Sequence, residues 1–390
     1  MTTVETSKRE TPARRWSATQ LAIGAGVLVL LGVRVITAIH LGHVAISGDV
    51  DRFYHLALAH GRPGKDYSVE YPIGTLAVFK VLGVVAHSRG HFGHAVVLLA
   101  FLTDLAIVAA LYIGWGAVAA LFYFVVVTPM IHLLDVRLDL LSTLVVVVAF
   151  IALRRAKETE SGLALAAACA LKLWAAPLVL VAAAAARSWR QVIIGAAALG
   201  AAVLVVWLAI SGTDGPIEVL TFRHAKGWEI ETIPGLVMVA RHVGHVTTEQ
   251  GALRVGVVSA FWRVALWVIG LPLALWASVR GGRTQRVGVA WIASVGVMML
   301  TATLLSPQFI VWLLPAAAIA WVEGDRLIAV VVALCAPLTG LEMHSFGGVI
   351  HGDPYYVTLV AARNALLVAA VVLSFVEIAR AVRATTPVAA

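Results

Sequence analysis

The chain has 390 residues, of which 61% are hydrophobic and only 13% charged, with a formal net charge of +8. Soluble domains carry about 25% charged and about 45–50% apolar residues, so one aqueous core cannot hide this much apolar side chain. The positive charge sits in short stretches between apolar runs, a pattern of membrane topology rather than of a nucleic-acid surface, and no nucleic-acid partner is expected.

The apolar residues gather in long runs, and Leu21–Val33 and Gln191–Ile210 contain no charge. A helix of about 20 apolar residues matches the roughly 30 Å hydrocarbon core at 1.5 Å rise per residue. The expected fold is therefore all-α: a polytopic transmembrane helix bundle of about 10–13 segments. Basic clusters at Lys8–Arg15, Arg154–Lys157, Arg187–Arg190, Arg280–Arg286 and Arg380–Arg383 mark the cytoplasmic side. Spans are predicted at 18–41, 93–113, 115–133, 138–153, 191–211, 253–279, 287–304, 309–322, 327–343 and 355–379, with both termini cytoplasmic. Residues 1–16 form a tail, 17–383 a single membrane domain, and 384–390 a second tail, both tails expected to be disordered. The first apolar run reads as a retained anchor, because Arg34 follows it and no small-residue cleavage site stands out.

In chain order, the first large outer loop is 42–71. Asp49 and Asp51 open a predicted short helix whose Val50, Phe53, Tyr54 and Ala57 share one face, suited to lying apolar side down in the interface. Asp49 fits two roles, helix capping or acid–base chemistry, while Asp51 is expected to face solvent. Glu70 precedes Tyr71-Pro72, where the backbone is biased to be extended, and either serves chemistry or satisfies loop amides. Segment 72–86 is short, carries Lys80 and reads as partial or re-entrant. Segment 161–186 is flanked by basic clusters, is interrupted by Lys172 and Pro177, and reads as a helical pair that dips in and returns, the alternative being a single long crossing that would put Arg187–Arg190 outside. Both exceptions point to a cavity, since irregular backbone at membrane depth is tolerated only inside protein or beside a cavity. Arg34 and Lys80 are expected to snorkel, and Asp104 to pair with a basic residue in the bundle.

Asp135, Arg137 and Asp139 form a compact charged turn, read as local salt bridging. The second large outer loop, 212–252, carries Arg223, His224 and Lys226. This basic group on the outer side breaks the positive-inside trend, and either a bound phosphate or anionic lipid headgroups explain it. Trp228 beside Glu229 and Glu231 suits a sugar face with its hydroxyls, or an interfacial anchor. Gln308 lies in a Ser306-Pro307-Gln308 outer turn. Cys169 and Cys335 lie in apolar runs, the histidines show no zinc spacing, and no cofactor is required by the sequence, although the acidic residues are compatible with a divalent metal.

Four stretches in order resemble glycosyltransferase family 87 of the membrane-embedded C-type superfamily. They are Asp49, Gly61, Asp66-Tyr67 and Glu70-Tyr71-Pro72; Ala170–Trp174 with Pro177; Trp228–Thr232; and Leu305–Phe309 with Trp312. Ile73 stands where the family has a second Pro, and Pro177 is displaced from its usual place after an aromatic. The resemblance implies transfer of a hexose, as mannose in characterised relatives, from a polyprenyl phosphate donor to a lipid or glycan acceptor outside the cytoplasmic membrane. It implies Asp49, or alternatively Asp51, as catalytic base, with Arg223, Lys226 and Lys172 on the donor phosphate. Glu70, Tyr71, Trp228, Glu229, Glu231 and Gln308 are then expected at the acceptor and sugar. The rival class is a lipid or solute transporter, built on Lys80, Asp104, Lys172 and Pro177 at membrane depth.

Overall fold

The computed structural model describes residues 18–44, 48–344 and 346–385; residues 1–17, 45–47, 345 and 386–390, and with them the first predicted tail and most of the second, lie outside the described residues. In chain order the helices are α1 (Ala18–Val44), α2 (Asp49–Leu58), α3 (Ile73–Val85), α4 (Arg89–Trp115), α5 (Ala117–Val127), α6 (Ile131–Leu134), α7 (Asp139–Arg154), α8 (Glu158–Leu171) and α9 (Ala176–Ala185). They continue with α10 (Trp189–Ser211), α11 (Asp214–Leu220), α12 (Ile233–Ala240), α13 (Ala260–Arg283), α14 (Val287–Thr301), α15 (Leu314–Glu323), α16 (Arg326–Met343), α17 (Phe346–Ile350) and α18 (Pro354–Thr385). Three short strands, β1 (Trp228–Glu229), β2 (Thr247–Glu249) and β3 (Ala252–Val255), form an antiparallel sheet in the order β1-β3-β2.

Among the described residues, 7 helices are long and apolar enough to cross a bilayer. The most apolar stretches of α1, α10 and α13 are only 6%, 11% and 17% buried within the protein. Their outward side chains, such as Leu28, Val205 and Trp267, are apolar and suit contact with lipid. By contrast, α14 and α15 are buried over most of their length, so they form the centre of the bundle. Helices α8 and α10 approach backbone to backbone: a Cβ at Gly162 would meet the Val192 carbonyl oxygen, and one at Gly195 that of Thr159. Small residues at such crossings are the usual means of close helix packing in membranes.

The bundle has two distinguishable ends. Arg154, Arg187, Gln285 and Glu323 line one cavity, which gathers the ends of α7, α9, α13 and α15 at what we term the basic end. Helix α7 runs 16 residues from Asp139 to Arg154, so Asp139 lies about 24 Å away at 1.5 Å per residue. Helix α8 starts at the basic end, turns at Lys172–Ala175 beside Asp139, and α9 returns. Helices α14 and α15 repeat this course, with the 3-10 segment Pro307–Trp312 at their tip also on Asp139. The tips of two helical hairpins thus converge on one carboxylate.

Several expectations change. The span placed at 253–279 begins at Ala260, because Ala252–Val255 is β3 and Ser259 caps α13 by accepting from Trp262 N. The apolar face of α2 packs on protein: Phe53 stacks on Phe79 of α3 at 4.6 Å and Tyr54 meets Phe92 of α4 at 5.4 Å. Lys80 does not snorkel; its ammonium donates to the Ala59 carbonyl at the end of α2. Arg34 does not snorkel either. It is fully buried, donating to Asp104 Oδ2 at 2.8 Å, Thr128 Oγ1 at 2.8 Å and the Phe124 carbonyl at 2.7 Å. Tyr123 donates to the other oxygen of Asp104 at 2.9 Å. Removing one partner of such a pair strands a buried charge, so Arg34→Leu is expected to cost about 3–5 kcal/mol. Thermal unfolding of the detergent-solubilised protein tests this, and Arg34→Leu combined with Asp104→Leu is expected to recover most of the loss.

Candidate active site

The site is assembled from the start of α2, the loop before α3, the α6–α7 turn and the loop after α11. Gly48 occupies the N-cap of α2 with φ 65°, and the capping position makes no side-chain bond. Asp49 is therefore the first helical residue, not a cap. Its carboxylate pairs with Arg52, one turn along α2, and with Arg137 from the α6–α7 turn. Burial pushes the Arg137 guanidinium below its ordinary value, countered in part by Asp139. The reading of Asp135–Asp139 as a purely local salt bridge is thus corrected: Arg137 reaches across to α2.

Glu70 is not spent on loop amides. Its Oε1 pairs with Arg52 Nη2 at 3.0 Å and its Oε2 with Arg223 Nη2 at 2.9 Å. Arg223 is aimed by unusual backbone: Phe222, Arg223 and His224 have φ of 49°, 57° and 60°. Left-handed non-glycine residues cost of order 1–3 kcal/mol each and persist where surrounding structure holds them. Here Arg223 N donates to the Glu218 carbonyl at 2.7 Å, and the Glu218 carboxylate accepts Val69 N at 2.7 Å, tying the Arg223 loop to the Glu70 loop. The β2–β3 hairpin tip closes over this pair, since a side chain at Gly251 would collide with Arg52 and crowd Arg223.

Asp51 faces elsewhere, as residues two apart on a helix do. It pairs with Arg89, the first residue of α4, at 2.5 Å and with His55 at 3.6 Å. The structure therefore separates the two acids that the sequence leaves as alternatives.

Beside the cluster, Asp139 Oδ1 accepts from Lys172 Nζ at 2.7 Å and Trp312 Nε1 at 2.9 Å. The Lys172 ammonium lies 5.7, 5.6 and 5.6 Å from the ring centres of Tyr71, Phe309 and Trp312, within cation–π range. Burial, then the neighbouring Glu70 charge, raises the Tyr71 phenol well above its ordinary value. Half-buried Gln308 belongs to the same 3-10 segment as Phe309 and Trp312.

The remaining candidates are placed differently. Lys226 is exposed, and no described ion pair joins it to the cluster. Trp228, Glu229 and Glu231 are 6%, 3% and 0% exposed, so they do not offer an open face to a sugar. Glu231 Oε2 pairs with Arg363 at 2.6 Å, which also holds Glu342 at 3.0 Å, and Asn364 donates to the Glu231 carbonyl at 2.8 Å. Glu229 accepts Glu231 N at 3.0 Å, and burial pushes its carboxyl up to about 8. These acids lock the three-stranded sheet to α16 and α18. Among the described residues no group of three His, Cys, Asp or Glu is arranged to hold a metal ion.

Three guanidinium groups, Arg52, Arg137 and Arg223, face two carboxylates, Asp49 and Glu70. The set carries one positive charge in excess, suited to an anion with an acid beside it. Arg52 was missed by sequence reasoning, although its three-residue spacing from Asp49 was a usable signal.

No curated protein matches the chain. The family model described as Glycosyltransferase family 87 matches residues 70–307. That stretch contains Glu70, Arg137, Asp139, Lys172 and Arg223, while Asp49 and Arg52 precede it and Gln308 follows it. With more than half of its length matched and a bundle of apolar membrane-length helices around the charged cluster, the chain belongs to glycosyltransferase family 87 and is a membrane glycosyltransferase.

Proposed function

We propose that the protein transfers a hexose, mannose in our reading, from a polyprenyl phosphate carrier to a lipid-linked or cell-envelope glycan on the outer face of the cell membrane, with both termini cytoplasmic. The observation that carries this reading is the excess of guanidinium over carboxylate around Asp49. A departing lipid phosphate needs positive charge, and it leaves as an anion without a general acid. One base then suffices, unlike the carboxylate pair of a glycosidase.

In this mechanism the donor phosphate offers Arg52, Arg137 and Arg223 a second anion, and Asp49 is released from its two arginines. Asp49 takes the proton of the acceptor hydroxyl as that oxygen bonds to the anomeric carbon. The bond from that carbon to the phosphate oxygen breaks on the opposite face, its electron pair stays on the phosphate, and the configuration inverts. Lys172, fixed by Asp139, adds charge near the phosphate, and the half-buried rings of Tyr71 and Phe309 replace Trp228 as the surface for the sugar. In this reading Gln308 meets the acceptor hydroxyls, and Glu70 joins it once the phosphate draws Arg52 and Arg223 away from its carboxylate. The transporter alternative loses support because Arg34 and Asp104 are already paired with each other inside the bundle.

The geometry also separates the two basic residues of the outer loop. Arg223→Gln is expected to weaken the apparent donor affinity by roughly tenfold or more, the worth of one charge-assisted bond, while Lys226→Gln leaves it within about twofold. Donor titrations on both variants check this, and equal losses would return Lys226 to the clamp. For sidedness, a cysteine replacing exposed Ser68 is expected to react with an impermeant maleimide on intact cells, and one replacing exposed Gln285 only after lysis. The reverse pattern would put the cluster on the inner face. The donor itself is tested in membranes with and without the protein: protein-dependent label transfer is expected from polyprenyl phosphate sugar. Transfer from a nucleotide sugar alone would overturn the reading.

A further inference from the structure

A cavity with a volume of about 450 Å³ lies about 24 Å from the Asp49 cluster, at the basic end. Arg154 and Arg187 line it from different helices, with Trp115, Glu158, Gln285 and Glu323 around them. The Arg154 guanidinium lies 5.2 Å over the Trp115 ring, which holds it in place without neutralising it. Other arginines at this end are spent on carboxylates, as Arg286 is on Asp325 at 3.0 Å and on Glu377 at 3.3 Å.

Two features set the cavity apart from a topology signal. Arg154 closes α7 at its C-terminus, where a cation is favoured, but Arg187 sits two residues before α10, at the end that disfavours a cation. The carboxylate there, Glu158, is already committed to Arg187 N at 2.7 Å and Ser188 N at 3.0 Å. Glu323 is likewise committed to Val287 N at 3.1 Å and Gly288 N at 3.0 Å at the start of α14. Both carboxylates are thus taken up by backbone amides, and no described ion pair joins either of them to Arg154 or Arg187. The second feature is a fixed wall: Ala156 and Gln285 line the cavity just past the ends of α7 and α13 in the left-handed conformation that closes a helix C-terminus, and Gln285 Nε2 donates to the Ala185 carbonyl at 3.1 Å.

We propose that this cavity binds a phosphate group, carried by a membrane phospholipid headgroup or free in solution, between Arg154 and Arg187. The inference is independent of the sugar-transfer mechanism. Its chemistry is that of guanidinium forks on phosphate oxygens. Phe150 and Leu153 supply the apolar part of the cavity wall.

The test uses the purified full chain and native mass spectrometry with added dioleoyl phosphatidylglycerol, alongside dioleoylglycerol, which has the same chains and no phosphate. Wild type is expected to retain the phospholipid and not dioleoylglycerol. Arg187→Gln is expected to lose retention by about tenfold or more, and Arg187→Lys to keep most of it. Arg155→Gln, an exposed neighbour outside the cavity, is the control for general loss of basic charge and is expected to bind as wild type. If no lipid is retained but millimolar inorganic phosphate raises the melting temperature of wild type and not of Arg187→Gln, the site takes free phosphate. Equal binding by Arg187→Gln and Arg155→Gln, retention of dioleoylglycerol as strong as that of the phospholipid, or no response to either phosphate source would overturn the proposal.

Discussion

Asp49→Asn is expected to give a folded protein that still binds the lipid phosphate donor and transfers sugar about 10²–10⁴-fold more slowly, the usual worth of a general base. The structure makes this substitution informative. Asp49 makes no capping bond to α2, so Asn removes no cap, and Asn cannot take a proton at neutral pH. Asn keeps a side-chain oxygen that can accept from Arg52 and Arg137, and Arg52 keeps Glu70. Asp51→Asn is the matched control. It breaks only the contacts to Arg89 and His55 and is expected to retain most activity. A dead Asp51 variant beside an active Asp49 variant would move the base two residues along; two active variants would leave the mechanism without its base.

Arg137→Gln is expected to be nearly as severe and to differ in kind. Arg137 is the guanidinium delivered from the α6–α7 turn, and it touches the base itself. Its loss removes charge from the leaving phosphate, where a single preorganised donor is worth about 10²–10³ in kcat. Donor affinity is expected to fall as well, by roughly tenfold. Arg137→Lys restores the charge but not the fork, so partial rescue is expected. Steady-state rates across donor concentrations separate the two effects. An unchanged kcat in Arg137→Gln would remove this residue from the phosphate and leave it as a brace for α2.

Much of the helical architecture was legible because long charge-free runs report directly on contact with lipid. The returning pair α8–α9 could be read from the basic residues on both flanks and from Lys172 and Pro177 between them. The face of α2 could be read from its spacing, with Val50, Phe53 and Ala57 buried as expected. What covers that face could not, since α3 and α4 meet it only in the folded chain. The site was legible in its local parts and not in its long-range ones. Asp49 and Glu70 stood in a recognisable order, but their shared partner Arg52 and the role of Arg137 depend on how the α6–α7 turn docks against α2. Glu231 looked like a sugar ligand because its partner, Arg363, lies 132 residues away. Asp104 pairs with a basic residue as expected, but which one, Arg34 at 70 residues' separation, was not legible. The β2–β3 hairpin escaped notice because strands of three and four residues carry almost no alternation to detect.

The central claim is that one cluster binds a lipid phosphate sugar and activates its acceptor. The most direct measurement reconstitutes the purified full chain in vesicles with radiolabelled polyprenyl phosphomannose and a membrane extract as acceptor, following donor loss and product together. The account predicts that wild type consumes donor and forms labelled glycan, and that Asp49→Asn retains bound donor without forming product. Donor left intact by wild type, or product formed equally by Asp49→Asn, would contradict it.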